Sequence, residues 1–300
     1  MPAKRHSPPQ LRIAVLGVGR IGTAFAFYLA RNGGHEVTVI ARPGSTRLAQ
    51  VQRTGGVVTH NLGCQPVLIT DQLDESISYD LVLVTVKDFQ VQVLLPLLKR
   101  SAAKTIHFMF MTFNPEYLQQ AIGLDRVALG MPFLQSDIDA HGAAQVRVSR
   151  RPTLTSNPYW ASIFSAAGLP SRHDPQMALW LRCHVPLGVA FESVAVAAQR
   201  CGGGAPWHRA YSLACGIRAC FALIRTQGYT LYPNDKVRLE KLPIAMVACM
   251  LWGLSRIPAF RTLLATGEAE CYALIDAMVA ALPTAPAPAI NAIQAMRPAP

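Results

Sequence analysis

The chain has 300 residues, of which 51% are hydrophobic and 15% charged. That length and apolar content leave room for two packed cores and exclude wholesale disorder. The formal net charge of +11 suits anionic ligands, but the basic residues are scattered and never interleaved in a block with aromatics, so no nucleic-acid partner is expected.

Met1 to Gln10 reads as a loose tail. Leu11 to Leu16 is a short aliphatic run of strand character, Thr23 to Arg31 has apolar residues at helical spacing, and His35 to Arg42 is a second apolar strand. Between the first strand and the helix stand Gly17, Gly19 and Gly22, at G-x-G-x-x-G spacing, with Arg20 and Ile21 among them. Gly17 lets the chain leave the strand sharply, Gly19 lets a pyrophosphate approach the backbone, and Gly22 lets the helix pack closely on the sheet. The helix start offers free N–H groups and the positive end of its dipole. Strand, glycine turn, helix and strand in that order predict a dinucleotide site; the plain alternative is a tight turn with no ligand. Dinucleotide sites that take NAD usually place an acid at the end of the second strand. This chain has Ala41 and Arg42, then Pro43-Gly44-Ser45-Thr46-Arg47. A guanidinium suits a 2′-phosphate, which favours NADP(H), with Arg42 and Arg47 as solvated surface charges the alternative.

Further along, Thr46 to Arg53 predicts a short helix, and Val57 to His60 and Pro66 to Thr70 two short strands around a turn at Asn61-Leu62-Gly63. A β-branched strand, Asp80 to Lys87, precedes a helix at Phe89 to Leu98. Thr105 to Thr112 is a strand, Pro115 to Ile122 a helix, Arg126 to Gly130 and Ala144 to Ser149 strands, and Tyr159 to Ala167 a helix. This alternation predicts an α/β domain with a parallel doubly wound sheet over residues 1–173. In such a sheet the strand C-termini face the ligand, so Lys87 points towards cofactor or substrate; otherwise it solvates a helix start, a place unfavourable to a cation.

From residue 174 to 300 the pattern is helical throughout, predicting an all-α second domain. Gln176 to Gln199 is one long apolar stretch kinked or broken at Pro186. Cys201 to Pro206 is a loop; Trp207 to Gln227, Ile244 to Arg256 and Ala259 to Leu282 are helices; a Pro/Ala-rich terminal segment carries at most one short helix. The seven cysteines form no C-x-x-C pair and are odd in number, which reads as buried free thiols in a reducing compartment. The basic N-terminus has no apolar region of its own behind it, and Leu242 to Ser255 is short of a membrane span, so a cytoplasmic protein without membrane attachment is expected.

GVGRIG near the N-terminus, Arg42, the Val86-Lys87-Asp88-Phe89-Gln90 strand end, RVALG at Arg126 to Gly130, AAGL at Ala166 to Leu169, Trp180 and the helical second half together resemble the ketopantoate reductase family. The resemblance covers most of the chain. It implies a Rossmann-like first domain and a second domain like the helical domain of 6-phosphogluconate dehydrogenase. It also implies NADPH-dependent reduction of a small 2-oxo acid, by resemblance 2-dehydropantoate to pantoate in pantothenate biosynthesis.

The family's catalytic pattern is Trp-x-Lys with Asn four and eight residues after the Lys. Here the text is Trp180-Leu181-Arg182, then Pro186 and Ala190. An arginine stays protonated, so it can polarise or bind a carboxylate but cannot donate the proton a ketone reduction needs. Arg182 is therefore expected to clamp an acid substrate while Lys87 or a water supplies the proton; the alternative is that ketopantoate chemistry is lost. The substrate-holding Glu of the family matches Glu270, with Glu268 a near competitor. The family's Asn-Gly at the nicotinamide end is matched by Asn114, which also reads as a helix N-cap before Pro115. Ser193 returns to the helix face of Arg182 and is a candidate polar contact, while Glu192 and His184 read as satisfied or packed groups. The expected catalytic set is Lys87, Arg182 and Glu270; the expected cofactor set is Gly17, Gly19, Arg20, Ile21, Gly22, Arg42, Lys87 and Asn114. No metal is expected, and a homodimer is left open. Two other readings stand: a reductase of the same fold acting on another carbonyl or imine, and an NADPH-binding regulatory protein without turnover.

Overall fold

A computed structural model describes residues 10–265, 267–281 and 286–298. Of the expected N-terminal tail only Gln10 is among them, and residues 283–285 and 299–300 of the Pro/Ala-rich segment lie outside them. The chain divides into two compact units. One comprises Met1–Val86, Gln90–Phe110 and Leu118–Pro175; the other comprises Lys87–Phe89, Met111–Tyr117 and Gln176–Pro300.

The first unit begins with β1 (Arg12–Leu16), α1 (Arg20–Arg31) and β2 (Glu36–Ile40). β1 and β2 pair in parallel with Val15 opposite Val39. Each strand is buried from its second residue to its last, as strands covered on both faces are. Next come α2 (Thr46–Thr54), β3 (Gly56–Thr59), β4 (Gly63–Pro66), β5 (Leu68–Thr70) and β6 (Leu81–Val84). They are followed by α3 (Asp88–Val91), α4 (Leu95–Arg100), β7 (Thr105–Met109), α5 (Pro115–Ile122) and β8 (Val127–Met131). β9 (Leu134–Ile138), β10 (Ala143–Val148), β11 (Thr153–Thr155), α6 (Pro158–Ala166) and β12 (Ser171–His173) complete the series.

The main sheet has eight strands in the order β12-β11-β8-β7-β6-β1-β2-β5. β1 runs parallel to both neighbours, β2 and β6, and strand order reverses at this point. A doubly wound sheet opens its ligand crevice there. Phe25 and Phe27 of α1 are fully buried, and Phe25 meets Phe164 of α6 edge-on at 5.2 Å.

Three features depart from the expected sheet. β11 runs antiparallel to β8, so the sheet is mixed. A second, four-stranded sheet, β4-β3-β10-β9, stands apart from it. The expected strand Pro66 to Thr70 is split: β4 ends at Pro66, and Leu68 to Thr70 joins β2 in the main sheet. Proline cannot donate to a ladder, which ends the first pairing there. The expected helix at Phe89 to Leu98 is likewise divided, because Pro96 fits only the first turn of α4.

The second unit is helical among its described residues: α7 (Met177–Arg200), α8 (Trp207–Thr226), α9 (Asn234–Lys241), α10 (Ile244–Leu254), α11 (Pro258–Leu264), α12 (Glu268–Ala280) and α13 (Ala287–Gln294). α7 runs unbroken through Pro186. It is long and apolar enough to cross a membrane, but 89% of its apolar window is buried inside the protein. The expected helix Ala259 to Leu282 is two helices, and Leu282 lies outside the described residues. Gly267 caps α12, and a Cβ there would stand 1.9 Å from Glu192 Oε2. The seven cysteines are free thiols, but Cys64, Cys201 and Cys249 are exposed rather than buried. They sit on the outer strand β4, just after α7 and on the open face of α10, positions whose apolar neighbours in sequence do not imply cover.

Candidate functional site

The first unit holds a cavity of about 960 Å³, lined by Gly17, Val18 and Gly19 of the turn, by Ala41, Arg42, Pro43 and Ser45 after β2, and by Asp71, Gln72, Val86 and Gln90 among others. The volume is at the upper end of the usual range for ligand pockets. The glycines behave differently from one another. A Cβ on Gly22 would lie 2.0 Å from the carbonyl oxygen of Gly17, and one on Gly17 would lie 2.8 Å from Val86 Cγ1. A Cβ on Gly19 would meet nothing within 4 Å. Gly17 and Gly22 thus let the turn pack, while Gly19 leaves open space beside the backbone. Gly19 is the N-cap of α1, no side chain caps that end, and no acid stands in its first turn. Its N–H groups and dipole suit a phosphate group, so the residues present fit a dinucleotide.

Two side chains that brace the turn carry no motif. Thr85 Oγ1 donates to the Gly17 carbonyl at 2.5 Å. Arg47 donates to Val18 O at 2.7 Å, to Thr23 Oγ1 at 2.9 Å and to Gly142 O at 2.7 Å. Arg47 is thereby a structural clamp, not a solvated charge. Arg42 is exposed on the cavity wall and makes no side-chain hydrogen bond or ion pair among the described residues. Arg20 pairs with Asp137 of β9 at 3.0 Å, and Ile21 packs against the core. Although β2 ends without an acid, Asp71, just after β5, brings one into the same cavity.

The second unit gathers a polar cluster. Lys87 Nζ stands 3.4 Å from Glu270 Oε2, in the first turn of α12; the side chains are 39% and 14% exposed. Burial holds the Glu270 carboxyl above its ordinary range, against the pull of Lys87. Glu268 instead meets Arg200 at the surface, 2.9 Å away, so the rotation of α12 separates the two acids that sequence left in competition. Glu192 is buried in α7, where its Oε2 accepts from the Cys271 thiol at 3.2 Å. Burial, and then the nearby Glu270, push its carboxyl up. Asp88, beside Lys87, accepts from Tyr117 Oη at 2.9 Å, and burial raises it too.

Arg182 is buried, and its two terminal nitrogens donate to Glu116 at 2.8 and 2.5 Å. The Tyr229 ring lies 4.1 Å from its Cζ. The expected substrate clamp therefore already holds a carboxylate of its own chain, a partner 66 residues away that no spacing pattern reveals. Asn114 directly precedes α5 and takes Tyr117 N–H on its backbone carbonyl. His184 stacks on Trp180 at 4.4 Å and is buried, as a packed core histidine is. Ser193 is fully buried. Among the described residues no group of His, Cys, Asp and Glu is arranged to hold a metal ion.

A mostly parallel sheet with an open glycine turn at its switch point, joined to a helical unit bearing a Lys–Glu pair, defines a nucleotide-binding α/β protein of the two-unit dehydrogenase class. Residues 13–155 match the family described as ketopantoate reductase PanE/ApbA, a family of nicotinamide-dependent oxidoreductases. Solved structures share the fold. A PanE/ApbA family ketopantoate reductase from Ralstonia eutropha JMP134 is 20% identical with a TM-score of 0.71, over 95% of this chain and 96% of its own. A 2-dehydropantoate 2-reductase from Porphyromonas gingivalis W83 is 17% identical at 0.65, over 95% and 98%. D-mandelate dehydrogenase in a ternary structure with NADH and anilino(oxo)acetate is 10% identical at 0.70, over 95% and 96%. No curated protein matches the sequence.

Proposed function

We propose that the protein reduces a small 2-oxo acid to the 2-hydroxy acid with NADPH, with 2-dehydropantoate the default substrate by family. The observation that carries this reading is the Lys87–Glu270 pair at 3.4 Å, which puts an ammonium group beside a largely buried acid in a chain whose family lysine has become Arg182. Gly17, Gly19 and Gly22 would cradle the pyrophosphate, and Arg42 would take the 2′-phosphate. A bound reduced nicotinamide would supply the hydride to the carbonyl carbon.

The chain's own residues have the remaining work. Lys87 delivers a proton to the carbonyl oxygen and is reprotonated from water; Glu270 fixes the position of the ammonium group. Arg182 does not donate, because a guanidinium keeps its proton at any working pH. Asp71 in the cavity supports a second reading of the cofactor, since a carboxylate there can hold a ribose hydroxyl as in NAD sites; D-mandelate dehydrogenase, of the same fold, has been solved with NADH. The exposed free thiols suit a reducing cytoplasm.

The test is oxidation of NADPH, with NADH in parallel, by purified protein against a panel of 2-oxo acids that includes 2-dehydropantoate. Turnover confined to 2-oxo acids is the expected result. NADPH binding without turnover of any acid would move the reading to another carbonyl or imine, or to a regulatory protein.

A further inference from the structure

We infer that Glu116 is a specificity-determining residue: its carboxylate occupies the fork of Arg182 that a substrate carboxylate would take, and it competes with acids for that fork. The inference rests on the 2-oxo acid reading and names the subsite that reading needs.

The geometry at Arg182 is that of carboxylate recognition. Two parallel N–H donors meet two oxygens of one acid, at 2.8 and 2.5 Å, the fork-to-fork arrangement by which arginine reads a planar anion. The two partners differ in exposure. The Arg182 side chain is 5% exposed and that of Glu116 38%, so the fork opens to solvent through Glu116 and not into the core. Tyr229 lies on one guanidinium face at 4.1 Å, and Phe113 lies 5.7 Å from Cζ. Tyr229 also sets its hydroxyl 3.5 Å from Glu116 Oε1. The guanidinium is thus flanked by aromatic rings and covered by one acid.

Two other arginines with part-buried contacts, Arg47 and Arg126, are held differently. Each uses Nε and both terminal nitrogens, mostly on backbone carbonyl oxygens. Among the described residues Arg182 hydrogen-bonds no carbonyl, and its buried Nε has no hydrogen-bond partner. Its single acceptor is a carboxylate that a solute can replace one for one. A second carboxylate cannot join the fork without displacing the first, since two like charges on one guanidinium repel.

Thermal unfolding of the native chain, E116A and E116Q in sodium formate, against sodium chloride at equal ionic strength, tests this without cofactor or turnover. With the fork vacated, about 50 mM formate raises the midpoint of E116A by roughly 2 °C more than chloride does, and the native chain shows no difference between the salts. E116Q keeps one acceptor oxygen and carries the same comparison, with a smaller difference of the same sign, should E116A not fold. Equal responses of native and variant chains overturn the inference. In the turnover assay, E116Q lowers KM for a 2-oxo acid by roughly tenfold and leaves KM for the matching 2-oxo ester unchanged. Formate-specific stabilisation of E116A without turnover in any of the three chains would sink the 2-oxo acid reading and keep Glu116 in the fork. Turnover with no formate effect and an unchanged KM would sink the inference alone.

Discussion

Lys87 is the side chain on which the proposed chemistry turns, and arginine is the substitution that isolates its proton. K87R keeps a cation opposite Glu270 but cannot release a proton. The expected outcome is a fall in kcat of roughly 10²–10⁴ with the NADPH dissociation constant within about threefold; pre-steady-state kinetics and fluorescence titration read the two separately. A kcat close to native would place the donor elsewhere. Arg42 governs the other end of the cofactor reading. It stands on the cavity wall with no side-chain hydrogen bond or ion pair among the described residues, so R42A should raise KM for NADPH by about tenfold and leave KM for NADH unchanged. An equal effect on both would mean that Arg42 does not meet the 2′-phosphate. Glu192 contributes to stability with the opposite sign to a paired acid. Burial raises its carboxyl in the folded chain, so the folded state holds its proton over a pH window in which the unfolded state has released it. Stability is then full below the ordinary carboxylate pKa and declines as pH rises through that window. E192Q, of the same shape, removes the decline. Urea unfolding should find it equal to native near pH 4 and more stable by on the order of 1–3 kcal/mol near pH 8.5; a parallel decline in both chains would show that another group is responsible.

At the scale of elements, the glycine turn separates folding from binding. Gly19 has φ −79°, ordinary for any residue, and a Cβ there meets no protein atom within 4 Å. G19A should therefore fold with stability within about 0.5 kcal/mol of native yet lose NADPH affinity by roughly tenfold or more, because the methyl group takes the space the pyrophosphate needs. At Gly22 a Cβ would meet backbone at 2.0 Å, so G22A should cost about 1–3 kcal/mol in stability besides affinity. Denaturant curves set beside cofactor titrations make the comparison; unchanged affinity in G19A would remove the dinucleotide from this turn. The same elements mark where the sequence was legible. β1, α1, β2 and β6 are long apolar or periodic runs, and the glycine spacing ties them together. β4 and β9 are not, because GCQP is almost wholly exposed and the inward face of LQSDI puts the polar Ser136 between Leu134 and Ile138. α9, NDKVRLEK, is polar nearly all round. The break before α12 was hidden for another reason: at Gly267 a Cβ would crowd the carboxylate of Glu192, 75 positions earlier in the chain. Glu270 could be separated from Glu268 only by the rotation of α12, and Glu116 was invisible as a partner of Arg182 because nothing in local spacing encodes a contact between distant segments.

Over the whole molecule, charge is the remaining lever. The chain has 28 Lys and Arg against 17 Asp and Glu. Several of those acids are already committed to surface pairs, as in Arg100–Glu75, Lys104–Asp80 and Arg225–Glu240. The excess of cations leaves a positive field that draws in anions and is screened beyond about 8 Å at physiological ionic strength. NADPH and a 2-oxo acid are both anionic, so encounter with either should be faster in dilute salt. The expected outcome is a fall in kcat/KM for NADPH of roughly tenfold between about 20 and 300 mM sodium chloride, with a shallower fall for NADH, which has no 2′-phosphate, and little change in kcat. Stopped-flow association with NADPH should show the same slope in the on-rate and a much weaker one in the off-rate. A salt response confined to the off-rate would instead locate the effect in short-range contacts such as Arg42, and an on-rate that ignores salt would mean that the net charge of +11 is arranged away from the cavity and does not serve cofactor capture.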